Sequence, residues 1–151
     1  MRVQKAQAQD FPALAALGTQ LWPKHTEAEL TEEFSETMER GDAAFFLAYA
    51  DQIPVGFAQC GLRHDYVEGT ETSPVGYLEG IFVAEQYRKN GIAKALLSAC
   101  EKWAAEQGCR EFASDCELEN AQSLRFHLHA GFTEANRIVC FVKPLTAGET
   151  P

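Results

Sequence analysis

The stretch Gly76-Tyr77-Leu78-Glu79-Gly80-Ile81-Phe82-Val83, then Ala84-Glu85-Gln86-Tyr87, then Arg88-Lys89-Asn90-Gly91-Ile92-Ala93-Lys94-Ala95-Leu96-Leu97, decides how the chain is read. Its first part is rich in aromatic and β-branched residues and predicts a strand, in which Gly80 marks a bulge or a close backbone approach. From Ile92 onward, Ile92, Leu96, Cys100 and Trp103 recur at helical spacing and predict a helix with one apolar stripe. Between the two, Arg88-x-x-Gly91-x-Ala93 sets small residues and several backbone N–H groups at a helix N-terminus. Unpaired amides and the helix dipole both favour negative charge there, so the turn is an anion site in the making.

Strand, Arg-x-x-Gly-x-Ala turn and helix together resemble the acyl-CoA-binding motif of the GNAT superfamily of N-acetyltransferases. Gly-x-Gly-x-x-Gly is absent, as is a Gly-Lys-Ser/Thr after the turn, so neither a dinucleotide fingerprint nor a P-loop fits. The resemblance implies acetyl-CoA as co-substrate. Its pyrophosphate would lie on Arg88, Lys89, Asn90, Gly91, Ile92, Ala93 and Lys94, its pantetheine arm along Ile81, Phe82 and Val83, and Asn120 would contact it from the next helix.

Composition narrows the class. The chain has 151 residues, enough for one domain with its own core, and 46% of them are hydrophobic, which excludes intrinsic disorder. That domain is expected over residues 1–145, with 146–151 as a frayed tail. No apolar run reaches membrane-spanning length and Met1-Arg2-Val3-Gln4-Lys5 opens no signal-peptide core, so a cytoplasmic location and no membrane contact are expected. Five cysteines without a Cys-x-x-Cys pair support neither a disulfide framework nor a metal site. A net charge of −9 argues against nucleic acid as a partner and suits a cationic small molecule, although solubility alone would explain it.

In order, Arg2 to Ala6 predicts a strand and Asp10 caps a helix through Leu21, with Pro12 in its first turn. Thr26-x-x-Glu29 is a capping box for a second helix that ends near Gly41. Its acids Glu27, Glu29, Glu32, Glu33, Glu36 and Glu39 are either a solvated face or the rim of a site for a polycation. Strands at 45–50 and 53–62 form a hairpin about Asp51-Gln52. After the central motif, Gly108 stops the helix, a short strand runs from Glu111 to Ser114, a helix starts at Glu119-Asn120, and Arg137 to Lys143 reads as a last strand. The fold class is α/β: a GNAT-like central mixed sheet, twisted and flanked by helices, in a single domain.

Acetyl transfer to an amine requires a donor to the thioester carbonyl and a group that takes the amine proton. Glu79, beside Gly80, and Asp115, at the end of the neighbouring strand, are the candidate catalytic carboxylates, each as a base or as a binding group. Leu21-Trp22-Pro23 with His25, Arg63-His64-Asp65-Tyr66-Val67, Ser73-Pro74-Val75, Cys109-Arg110-Glu111-x-Ala113-Ser114-Asp115 and Glu119-Asn120 carry a narrower resemblance, to the type I aminoglycoside 6'-N-acetyltransferases. It implies that Trp22, His25, Tyr66, Glu79 and Asp115 line an aminoglycoside site, that no metal takes part, and that the enzyme is a homodimer conferring antibiotic resistance. Acids suit the several ammonium groups of such a substrate and the aromatic faces suit its rings. His127 stands where many family members carry a tyrosine thought to protonate the departing thiolate; it could donate a proton or have no chemical part. Asn136 replaces an acid common in close relatives. The competing readings are a GNAT enzyme for another polyamine or a protein amine, and a non-catalytic acyl-CoA sensor.

Overall fold

A computed structural model describes residues 1–146. The elements are β1 (Arg2–Lys5), α1 (Phe11–Leu21), α2 (Glu27–Glu39), β2 (Ala43–Ala50), β3 (Ile53–Arg63), β4 (Val75–Val83), α3 (Ile92–Glu106), β5 (Phe112–Ser114) and α4 (Ala121–His129). The sheet follows chain order, β1-β2-β3-β4-β5; β1 to β4 are antiparallel and β5 lies parallel to β4 after the α3 crossover. Asp51 and Gln52 take φ of 48° and 72°, the paired positive values of a tight hairpin whose twist matches its strands.

Alternation along the strands divides the core between two faces. Phe45 and Leu47 of β2 and Phe57 of β3 pack with Leu14, Leu17, Leu30 and Phe34 of α1 and α2. Ala44, Phe46 and Ala48 turn the other way, toward Ile92, Leu96, Cys100 and Trp103 of α3, so the apolar stripe read from the sequence is the buried face of that helix. Gly76 lets α3 and β5 close on β4, since a Cβ there would stand 2.6 Å from both Ala104 and Phe112 side-chain atoms.

Local signals act largely as expected. Thr26 and Glu29 cap α2 reciprocally, at 3.1 and 2.8 Å. Asp10 is an exception: its carboxylate accepts from the Gln7 amide at 2.8 Å, closing a 3-10 turn over Ala8–Asp10, and does not cap α1. The extra residue of β4 is Glu79 and not Gly80, because Gln59 pairs with Gly80 while Cys60 pairs with Leu78.

The expected last strand at 137–143 does not form. That segment runs without strand pairing, and Ile138, Val139, Phe141, Val142 and Leu145 stand 70%, 77%, 92%, 95% and 90% exposed. Its strand-like composition calls for a sheet edge, and the segment does not pair with β5 within its own chain. Of the expected tail at 146–151, residues 147–151 lie outside the described residues.

Candidate active site

Two features of β4 create the site. Gly76, Tyr77 and Leu78 pair with Phe112, Ala113 and Ser114 of β5, and beyond that point the two strands have no further pairing. The β5-facing backbone of Glu79 through Val83 is thus left for another partner, while β3 continues to pair with β4 on the other side. The bulge at Glu79 falls where this opening begins.

The turn after β4 leads from the opening to α3. Gly91 is the N-cap of α3 at φ +78°, and a Cβ placed there would meet nothing within 4 Å, so the surface over it is clear. Ala95 donates to the Gly91 carbonyl at 3.0 Å as the helix ladder starts, which leaves the amides of Ile92, Ala93 and Lys94 ahead of it. Lys89 also takes a positive φ, 67°. Arg88 Nε donates to the Val83 carbonyl at 2.7 Å and Asn90 donates to the Tyr87 carbonyl at 3.2 Å, so these two side chains brace the turn. Asn120 caps α4 by accepting from the Ser123 amide at 3.0 Å. An open strand edge, a bare left-handed glycine and unused helix amides fit the elongated, diphosphate-bearing CoA group.

On the opposite side of β4 is an acid-lined cleft of about 230 Å³, bounded by Trp22, His25, Leu30, Glu33, Gln59 and Glu79. Trp22 is fixed by edge contacts with Phe34 and Phe57, at 6.3 and 5.8 Å between centroids. Gly80 makes room for it: a Cβ there would lie 2.6 Å from the indole. His25, exposed, reaches the cleft because its amide bonds the Trp22 carbonyl at 3.1 Å and turns the chain. Glu33 comes from the acidic run of α2, so one acid of that run faces the cleft.

Around Glu79 lies a connected polar group. Arg63 donates from Nη2 to Oε1 at 2.9 Å and to Oε2 at 3.1 Å, and from Nε to Oε2 at 3.2 Å. Its guanidinium carbon stands 3.7 Å from the centre of the Tyr77 ring, and the Tyr77 hydroxyl donates to Asp115. Burial, and then the bond to Asp115, push the Tyr77 phenol above its usual range. The hydrogen bonds to Glu79 strengthen the proton affinity of Arg63. Glu79 and Asp115 are thereby linked through Arg63 and Tyr77.

Tyr66 stands apart from the cleft, 76% exposed, its hydroxyl accepting from the Gly69 amide at 3.3 Å. Asn136 donates to Glu68 at 2.8 Å and so bonds the same 64–74 loop. His127 lies below the opening of β4 and β5, with Nδ1 2.7 Å from the Ser123 carbonyl and Nε2 2.9 Å from Ser114 Oγ. Among the described residues no cluster of three His, Cys, Asp or Glu side chains could hold a metal ion. Sequence reasoning did not single out Gln59 or Tyr77, and it passed over Arg63 as a site group. Gln59 was findable, because antiparallel pairing of β3 with β4 sets it beside the Glu79 bulge, whereas Arg63 pairs with Val75 and reaches Glu79 only through its long side chain.

A model of the acetyltransferase (GNAT) family matches residues 8–132. An aminoglycoside N(6')-acetyltransferase type 1 from Stenotrophomonas maltophilia is 43% identical over 144 residues, which is 95% of this chain and 93% of that protein. One from Salmonella typhimurium is 42% identical over 127 residues, covering 84% of this chain and 88% of its own. Among solved structures, AAC(6')-Iy in complex with the bisubstrate analogue CoA-S-monomethyl-acetylneamine matches with a TM-score of 0.91 at 37% identity, over 95% of this chain and 98% of that one. The chain therefore belongs to the GNAT acetyltransferase family, in its branch of type 1 aminoglycoside N(6')-acetyltransferases.

Proposed function

We propose that this protein transfers the acetyl group of acetyl-CoA to the 6'-amine of an aminoglycoside, and that the transfer gives resistance. One observation carries the reading: the bulge at Glu79 stands between an open strand edge leading to free helix amides and a cleft lined by Glu33 and Glu79. Acetyl-CoA, when bound, supplies an activated acyl group. Backbone amides of the unpaired part of β4 are suited to donate to its carbonyl oxygen. Glu79, at the mouth of both features, binds the substrate ammonium and takes the proton that makes the amine nucleophilic. Glu33 and Asp115 offer further carboxylates to the other ammonium groups, and Trp22 offers a flat face to a sugar ring. His127 joins the Ser123 carbonyl of α4 to the Ser114 hydroxyl of β5, and we assign it to holding α4 against β5.

The active form is a homodimer. Its support is the exposed apolar arm at 137–146, together with a groove of about 870 Å³ lined in part by Phe112, Leu124, Leu128 and Phe132, where a second copy's arm has apolar surface to cover. Light scattering of the purified protein reads the mass directly. The site of action is the cytoplasm, where acetyl-CoA is available. Five free thiols suit such a reducing compartment.

The test is thiol release from acetyl-CoA with a matched pair of aminoglycosides, one bearing a 6'-amine and the other a 6'-hydroxyl. Turnover of the amine alone is expected. Equal turnover of both moves the reaction to another position, and turnover only of spermidine or a peptide replaces the substrate class.

A further inference from the structure

Glu79, one of the two acids that line the cleft, already holds a cation. Arg63 takes three hydrogen bonds to the two oxygens of Glu79, and a carboxylate has about four lone-pair sites in all. An ammonium arriving at Glu79 finds the fourth site beside a guanidinium of like charge. Yet Arg63 is not locked in place: its side chain is 44% exposed, and its other neighbour is the face of Tyr77, a contact that tolerates sliding.

We propose that Arg63 is a resident counter-cation that the substrate ammonium displaces from Glu79, and thereby a specificity-determining residue. In the free enzyme it keeps the Glu79 carboxylate aimed. On binding, the guanidinium leaves the carboxylate, stays over the Tyr77 ring within the field of Asp115 and is taken up by water. The exchange swaps one ion pair for another, so an amine with a single charge gains little. A polyammonium substrate gains through its remaining charges, which reach Glu33 and Asp115 without displacing anything. Arg63 therefore sets a fixed entry cost that a polycation covers and a monoamine does not.

This inference rests on the proposed function, and the test separates the two. Binding of a polycationic aminoglycoside is measured by calorimetry for wild type, Arg63→Gln, Arg63→Lys, Glu79→Gln and the Arg63→Gln/Glu79→Gln double variant. An exposed ion pair is worth up to about 1 kcal/mol, so losing it from the free enzyme should tighten binding by about fivefold. Arg63→Lys, which keeps the charge, should remain near wild type. In the Glu79→Gln background the gain should vanish, because no pair is left to break. The Nε–H resonance of Arg63, assigned by its absence from Arg63→Lys, should shift when aminoglycoside saturates the wild type.

Equal tightening in both backgrounds means simple through-space repulsion and overturns the exchange. Weaker binding in Arg63→Gln, or an Nε–H signal unmoved at saturation, makes Arg63 a fixed support of Glu79 and also overturns it. A wild type that neither binds nor acetylates any aminoglycoside refutes the functional reading instead.

Discussion

Residues 1–104 and residues 105–146 are built on different terms. The first region places large side chains such as Leu14, Phe34, Phe45, Phe57 and Leu96 at 0–1% exposure on two faces of a sheet. The second contributes β5, α4 and the arm, and after Ala104 no described residue is buried. Both have apolar sequences; only the first has enough surrounding elements to cover them. In the proposed homodimer, the second copy would supply the cover that this C-terminal quarter does not find in its own chain.

The sharpest way to break that comparison is a pair of substitutions. Leu96→Ala empties a fully buried site between α3 and the sheet and should cost about 2–5 kcal/mol, whatever the protein concentration. Val142→Asp alters a side chain that is 95% exposed in the single chain, where such changes stay within about 0.5 kcal/mol. If the arm is covered by a second copy, Val142→Asp should instead abolish the dimer and make the Tm independent of concentration. A Val142→Asp protein that dimerises like wild type leaves the arm without that role.

Next in size is the separation of roles between Glu79 and Asp115. Glu79→Gln keeps shape and removes the charge at the bulge; as loss of a general base it should lower kcat by about a hundredfold. Asp115 is held by Tyr77 on the far side of Arg63, so Asp115→Asn should act mainly on the aminoglycoside KM. Steady-state kinetics with both substrates varied reads the split, and the KM for acetyl-CoA should hardly move. Glu79→Gln with kcat intact would leave Glu79 as a binding group and send the proton through water.

The same division of the molecule governs what was legible beforehand. The helix stripe of Ile92, Leu96, Cys100 and Trp103, the Asp51-Gln52 hairpin and the Thr26-Glu29 cap are local patterns, each fixed by residues within a few turns of one another. Trp22, His25 and Glu79 were picked out by resemblance, and they do meet in one cleft; Tyr66, from the same resemblance, does not join them. The Arg63–Glu79 and Tyr77–Asp115 links depend on strand register across the bulge, which composition does not encode. The strand expected at 137–143 failed for a different reason. Its β-forming residues call for a sheet edge, yet the segment runs exposed and leaves the outer edge of β5, the last strand of the sheet, unpaired.

The smallest expected effect concerns how the second region steadies the first. Glu111, just ahead of β5, accepts from the Glu71 amide at 2.9 Å, the Thr72 amide at 2.8 Å and the Thr72 hydroxyl, so one carboxylate pins the loop that leads into β4. These bonds, the Thr72 hydroxyl first and the Glu71 amide next, hold the Glu111 carboxyl below the ordinary carboxylate range. A carboxyl whose pKa is lower folded than unfolded contributes stability above its unfolded value, about 4.3, and loses it as pH falls through the folded value. Glu111→Gln keeps the length and one acceptor oxygen but cannot be ionised. The stability gap between wild type and Glu111→Gln, followed by urea unfolding from pH 7 downward, should be constant to about pH 5 and then close as acid protonates the wild-type loop anchor. Because this tether lies at the surface, the gap should be well below that of Leu96→Ala at every pH. A gap that stays constant through the acid range would show that the loop is held by the shape of the side chain at 111 and not by its charge.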